Sequence, residues 1–230
     1  MKPNRSVGED RAPRLVEADD PERALWRKLD WFATPPWATR AGAEIVKIMD
    51  PYATTVWEPA CGDGIMARVL TEYFNIVQAS DIHDFGCGAL IGDFLNENSF
   101  PADRFETPDW VITNPPFHSA QEFIKRGLRV ARRGVAVLCR LAFLEGAERF
   151  DTHTGNYPLK ILAPFCERVP MQLGPYNPDG STMTAYAWFI YTKEGIRICT
   201  TRFIAPGTRT RLTRKDDVRR FCKEKSGTLL

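Results

Sequence analysis

The sequence predicts an α/β domain, a mostly parallel sheet with helices on both faces. Three observations carry this. Short apolar runs of strand length alternate with segments whose apolar residues recur at helical spacing. The early runs end in residues suited to ligand chemistry: a glycine turn after Trp57, then Asp81, then Asn114. The 230 residues, 43% apolar and 26% charged, suit one globular domain with short extensions.

In chain order, residues 1–24 are rich in charge with scattered apolar residues and read as a flexible N-terminal arm. Order is expected from Leu25-Trp26, because Trp26, Trp31, Phe32 and Trp37 need apolar neighbours. Pro35-Pro36 opens a helix with Ala38, Ala41, Ile45, Ile48 and Met49 at helical spacing, and Asp50-Pro51 stops it. A strand at 54–57 leads through the glycine turn into a helix carrying Met66, Val69, Leu70 and Tyr73 on one face. Further strands are expected at 76–79, 109–113, 134–141 and 183–191. The helix after Phe117 carries Ser119 and Glu122 at capping-box spacing. Its basic run, Lys125, Arg126, Arg129, Arg132 and Arg133, reads as a solvated face. The domain is placed at 25–200 and a basic C-terminal extension at 201–230.

Several classes are excluded or disfavoured. No stretch approaches the roughly 18 apolar residues of a membrane span, and the N-terminus lacks a signal-peptide core, so a cytoplasmic protein without a membrane partner is expected. The six cysteines form no CxxC, which argues against a zinc site and for reduced thiols; no metal is expected. Residues 197–230 hold ten Lys and Arg against three acids. A basic end on a mildly acidic body suits a polyanion partner or a solubilising tail.

Two elements carry chemistry. Gly62 and Gly64 in Glu58-Pro59-Ala60-Cys61-Gly62-Asp63-Gly64 permit a tight turn and close ligand approach, with Asp63 placed to cap the next helix. Asp81 follows at the end of the next strand, where a carboxylate accepts from ribose hydroxyls. Position 67 is Ala rather than the third glycine of a dinucleotide fingerprint, and Glu58 and Asp63 repel a pyrophosphate. An acidic loop suits a cationic ligand, such as a sulfonium bearing an ammonium group. The second element is Asn114-Pro115-Pro116-Phe117. Two prolines fix two φ angles, leaving the Asn114 side-chain oxygen and the Pro115 carbonyl as acceptors for one exocyclic NH₂ group. Accepting both hydrogens stabilises the charge that develops on that nitrogen as it attacks a methyl group. Phe117 is a stacking surface for the presented base.

These motifs, in this order, resemble the class I S-adenosylmethionine-dependent amino-methyltransferases of DNA. The likeness is to the adenine-N6 group with cofactor motifs ahead of the catalytic motif, small phage and prophage members included. The resemblance covers roughly residues 26–192. It implies a Rossmann-like fold and S-adenosyl-L-methionine as cofactor, held by Phe32, Thr34, Glu58, Ala60, Gly62, Gly64, Asp81, Ile82, Asp93 and Phe94. Within that set, the segment 32–36 is similar to the one that holds the methionine part. Gly92-Asp93-Phe94 resembles the stretch that meets the adenine ring. Asn114, Pro115 and Phe117 take the catalytic positions, and Pro116 and His118 face the substrate. Arg140–Gly146 and Ala185–Phe189 are late matches. The implied activity is methylation of adenine N6 in DNA, with the base flipped out of the duplex. Asn-Pro-Pro-Phe-His also resembles ribosomal RNA guanine-N2 methyltransferases, so RNA competes with DNA as the partner. Methylation of a protein glutamine is compatible with the same motif, and so is a nucleic-acid-binding module with a decayed cofactor fold. Many relatives carry a separate target-recognition domain; here only 84–90, 94–108, 145–182 and the basic end are left to read a target. The motifs leave target sequence and oligomeric state open.

Overall fold

The computed structural model describes residues 20–100, 106–193 and 198–222. Helix α1 (Pro21–Leu29) is capped by Asp20, whose carboxylate accepts the Glu22 N–H at 3.1 Å. It ends at Asp30, held in the left-handed region at φ 51°. The boundary expected at residue 25 therefore falls inside this helix, and residues 1–19 lie outside the described part. Helix α2 (Pro36–Met49) starts at the second proline and stops at Asp50. Strand β1 (Thr55–Glu58) is followed by α3 (Ile65–Leu70), β2 (Ile76–Asp81), a short β3 (Leu90–Ile91) and β4 (Trp110–Thr113). A 3₁₀ turn at Phe117–Ser119 feeds α4 (Ala120–Val130), and β5 (Gly134–Arg140) follows. Next come α5 (Phe150–Thr154), β6 (Leu159–Pro164), β7 (Tyr186–Thr192) and β8 (Thr200–Thr201). Helices α6 (Thr208–Leu212) and α7 (Asp217–Phe221) close the described chain.

The sheet order is β3-β2-β1-β4-β5-β7-β6-β8. The pairs from β3 to β5 are parallel, and β7 runs antiparallel between β5 and β6. Strands β1 and β4 are buried along their whole length, as strands covered on both faces must be. One face packs α2 and α3 through Trp37, Val46, Met66 and Leu70 against Trp110, Leu138 and Trp188. The other packs Phe123, Ile124 and Leu128 of α4 against Val111, Val135 and Phe189. Trp188 is core, its indole N–H donating to Ala38 O at 3.0 Å. The chain leaves β1 toward β2 and returns to β4 on the other side. That reversal opens a crevice at the carboxyl ends of β1 and β4, where the Glu58 loop and Asn114 sit.

Several local expectations are corrected. Gly64, not Asp63, is the N-cap residue of α3, and Ser119 makes no side-chain capping bond to α4 because the 3₁₀ turn leads the chain straight in. Within 145–182, left open for target reading, β6 forms an inner strand. Its apolar positions alternate, the pattern of a half-covered strand. The basic run along and just after α4 is largely exposed, as expected, and adds ion pairs: Arg126 and Arg129 meet Glu97, while Arg132 and Arg133 meet Asp109.

The basic segment after residue 200 packs back onto the domain. Arg40 is 1% exposed, and its guanidinium meets both Asp217 oxygens at 2.7 Å, Glu72 at 2.7 and 3.0 Å, and Leu212 O at 2.7 Å. Arg214 and Arg220 also reach Glu72, and Arg211 reaches Glu44. Three of the seven basic residues between 198 and 222 thus face the protein's own carboxylates.

Candidate active site

At the carboxyl end of β1, Gly62 (φ 53°) and Gly64 (φ 80°) turn the chain into α3. A Cβ at Gly62 would lie 2.4 Å from the Trp31 indole nitrogen. The approach of Trp31 by itself requires glycine at this position. Gly64 faces an outer groove with Cys87 and Leu90 rather than the main cavity. Asp81 ends β2, its carboxylate accepting the N–H groups of Gly62 (2.8 Å) and His83 (3.0 Å). Burial raises its pKa, and those backbone donors oppose the rise.

A cavity of about 360 Å³ opens between this loop and the N-terminal segment, within the range of small-molecule sites. Asp81, Ile82, Asp93, Phe94 and Ala60 line it, and so do Pro116 and His118. Phe94 is held by Trp57 and Phe123, each with its ring centroid 5.0 Å away. Asp93 turns one oxygen to the Leu95 N–H at 2.9 Å. The opposite wall is Lys28 to Trp31, with Trp31 packed 4.6 Å from Phe85. Phe85, in a segment left open for target reading, is cavity wall.

Phe32, Thr34, Glu58, Ala60 and Asn114 surround a second, narrow void of about 20 Å³. Glu58 is 1% exposed, and neither of its carboxylate oxygens has a partner in hydrogen-bond geometry. Burial foremost, with the nearby Asp81 charge adding to it, pushes its pKa well above the ordinary carboxylate range, against the weaker pull of the Thr113 side chain and the Ala60 backbone. The Asn114 amide donates to Phe32 O at 2.9 Å, which leaves Oδ1 turned inward, buried and unpartnered. The two unpartnered Glu58 oxygens at this void suit a cationic donor. The volume matches an ammonium group and not a whole amino-acid moiety, so the Trp31–Thr34 strap must shift for a longer ligand chain.

Asn114-Pro115-Pro116-Phe117 is held from outside as well. Asp30 accepts the Phe117 N–H at 2.6 Å and lies 3.8 Å from the His118 ring, which is mostly exposed. The Phe117 ring sits 5.5 Å from Phe32 and 6.2 Å from Tyr186, and the Arg140 guanidinium lies over it at 4.3 Å. Arg140 opens the late match 140–146 without a role assigned to it. Asp30 and Trp31 carry no motif signature of their own. Only the density of aromatics from Trp26 to Trp37 marks that stretch in the sequence.

The structure thus places Ala60, Asp81, Ile82, Asp93, Phe94, Pro116 and His118 on the larger cavity and Phe32, Thr34, Glu58, Ala60 and Asn114 on the narrow void. Phe117 faces a separate cavity, Gly64 faces the outer groove, and Pro115 and Gly62 line none of these. Among the described residues no group of three or more His, Cys, Asp or Glu is placed to hold a metal ion, and no helix is long and apolar enough to cross a membrane.

No protein-family model and no curated protein sequence matches the chain. Solved structures do. A candidate RNA methyltransferase from Pyrococcus horikoshii superposes with a TM-score of 0.55 at 14% identity, over 74% of this chain and 88% of that one. A type I restriction-modification methyltransferase subunit from Streptococcus thermophilus gives 0.54 at 12% identity, over 79% and 50%. The fold is the Rossmann-like methyltransferase fold. A modification subunit of a candidate type I restriction enzyme from Vibrio vulnificus gives 0.50 at 16% identity, over 86% and 55%. The chain spans about half the length of those two restriction-modification subunits.

Proposed function

We propose that this protein transfers a methyl group from S-adenosyl-L-methionine to the N6 amino group of adenine in DNA. The observation that carries this reading is Asn114: its amide nitrogen is tied to Phe32 O, and its oxygen stands buried and unpartnered beside two prolines and an aromatic ring. An amide locked in that orientation is an acceptor awaiting a donor, and an exocyclic amine supplies one.

The residues present fit the cofactor. Asp81 and Asp93 offer acceptors inside a cavity with apolar walls from Ile82 and Phe94, and Glu58 offers an orphaned buried carboxylate to an ammonium group. When bound, the cofactor supplies an electrophilic methyl group on a positively charged sulfur. Asn114 Oδ1 and the Pro115 carbonyl accept the two N–H groups of the target amine and stabilise the charge that develops on it. Phe117 supports the flipped base through its ring face. Asp30 and Phe32 hold this loop in register by their bonds to Phe117 N–H and Asn114. No general base is assigned, because the amine loses a proton readily once it is cationic.

The test is transfer of labelled methyl from the cofactor to unmethylated duplex DNA, with ribosomal RNA and protein extract in parallel, then mass identification of the methylated product. N6-methyladenine in DNA is the expected product. Label confined to RNA or protein overturns the substrate, and cofactor binding without label in any polymer overturns the activity.

A further inference from the structure

The two sides of the catalytic loop carry opposite charge. On one side, the cavity of about 360 Å³ is lined by Asp30, Asp81 and Asp93, with one lysine, Lys28. On the other, a cavity of about 210 Å³ is lined by Phe117, Cys139, Arg140, Ala142, Phe143 and Arg149, with no carboxylate in its wall. Arg140 makes no ion pair among the described residues; its guanidinium rests on the Phe117 ring at 4.3 Å. Arg149 lies over Phe143 at 5.1 Å, with one N–H on Glu145 O at 2.7 Å and a 3.3 Å contact to the exposed Glu148. By contrast, the arginines at the far end of the sheet, Arg132 and Arg133, are matched to Asp109.

We propose that this second cavity is a nucleotide site in which Arg140 and Arg149 take the phosphodiester beside the target adenine. The inference rests on the function proposed above and deepens it. Two guanidiniums against two aromatic rings suit a ligand that is planar at one end and anionic at the other, and fork geometry makes arginine the preferred partner of phosphate. A protein glutamine side chain, neutral and not aromatic, uses neither feature. In the free protein Arg140 stacks where the base is to stack. The incoming base takes over the ring, and the guanidinium turns to the phosphate.

The test uses the full chain and a fluorescein-labelled duplex DNA of mixed sequence, with affinity measured against salt concentration. The variants are Arg140→Gln, Arg149→Gln and Arg140→Lys, with Arg129→Gln as the charge-matched control at the far end of α4. Each glutamine variant is expected to lower the slope of log affinity against log salt by about 0.9. Arg140→Lys is expected to keep most of the slope, and Arg129→Gln all of it. Cofactor affinity, unchanged in each variant, reports that the fold is intact. An unchanged slope in both glutamine variants overturns the phosphate role alone. Failure of the unmodified protein to bind the duplex overturns the DNA reading, and this inference with it.

Discussion

Replacing Glu58 by Gln probes how the protein handles charge in the narrow void of about 20 Å³. The carboxyl is 1% exposed, has no hydrogen-bond partner for either oxygen, and lies near the Asp81 charge, so it keeps its proton well above the ordinary carboxylate range. A cationic ligand group reverses this: the carboxylate forms as the ammonium arrives, and a proton leaves. Affinity for S-adenosyl-L-methionine therefore rises with pH, by at most tenfold per pH unit, while the unbound carboxyl is still protonated. The stability of the unliganded protein has the opposite sign. With the folded pKa raised, the contribution from Glu58 is fully present below the unfolded carboxylate pKa and is lost as pH rises through the folded value. Gln keeps the shape and removes the charge. Neutralising one partner of a buried charge pair costs about 2–5 kcal/mol, so cofactor affinity is expected to fall by about 30- to 4,000-fold. The assay is titration calorimetry in two buffers of different ionisation enthalpy, which counts protons released. Adenosine, which lacks the ammonium group, serves as the control for an intact nucleoside cavity. Cofactor affinity within about threefold of the unmodified protein, with the same pH slope, would refute the argument.

Asn114→Ala is expected to lower turnover by about 10²- to 10³-fold with little change in cofactor affinity by calorimetry; equal loss of both would make the loop structural. Asp217→Ala leaves the buried Arg40 guanidinium with Glu72 as its one carboxylate partner, beside Leu212 O, at a cost of about 3 kcal/mol, and should lower Tm by about 6–12 °C in a thermal melt. A Tm within about 2 °C of the unmodified protein would show that the C-terminal helices are not anchored there. His153 is half-buried, with Nε2 3.2 Å from Phe143 O, which can only accept, and Nδ1 3.0 Å from the Tyr191 hydroxyl; burial lowers its pKa against the pull of the Phe143 carbonyl. Stability is therefore expected to fall as pH drops from the unfolded histidine pKa, about 6.5, through the lower folded value. Urea titrations across that window should show a slope that His153→Gln removes.

The resolved anchoring also changes what a C-terminal truncation measures. Removing residues 206–230 strips Asp217 and Leu212 from Arg40, so lost stability would be mixed with any lost polyanion binding. Single-arginine variants separate the two.

The sequence by itself determined the strand–helix alternation, the glycine turn, and the placing of Asp81 and Asn114 at strand ends, because those features depend on residues close together in the chain. Pro115-Pro116 fixed the rigidity of the catalytic loop for the same reason. Tertiary structure decided what holds and covers the site. Asp30 reaches Phe117 across 87 positions, and Phe32 reaches Asn114 across 82. No periodicity or motif encodes such pairs. It also decided that Trp31 fills the space above Gly62, that Arg140 lies on Phe117, and that the basic C-terminal segment turns inward to Arg40 and Glu72. A run of arginines reads the same in sequence whether it faces phosphate, water or the protein's own carboxylates. Only the folded chain brings Asp217 within 2.7 Å of Arg40, and in a buried setting that proximity fixes which charges remain for a partner.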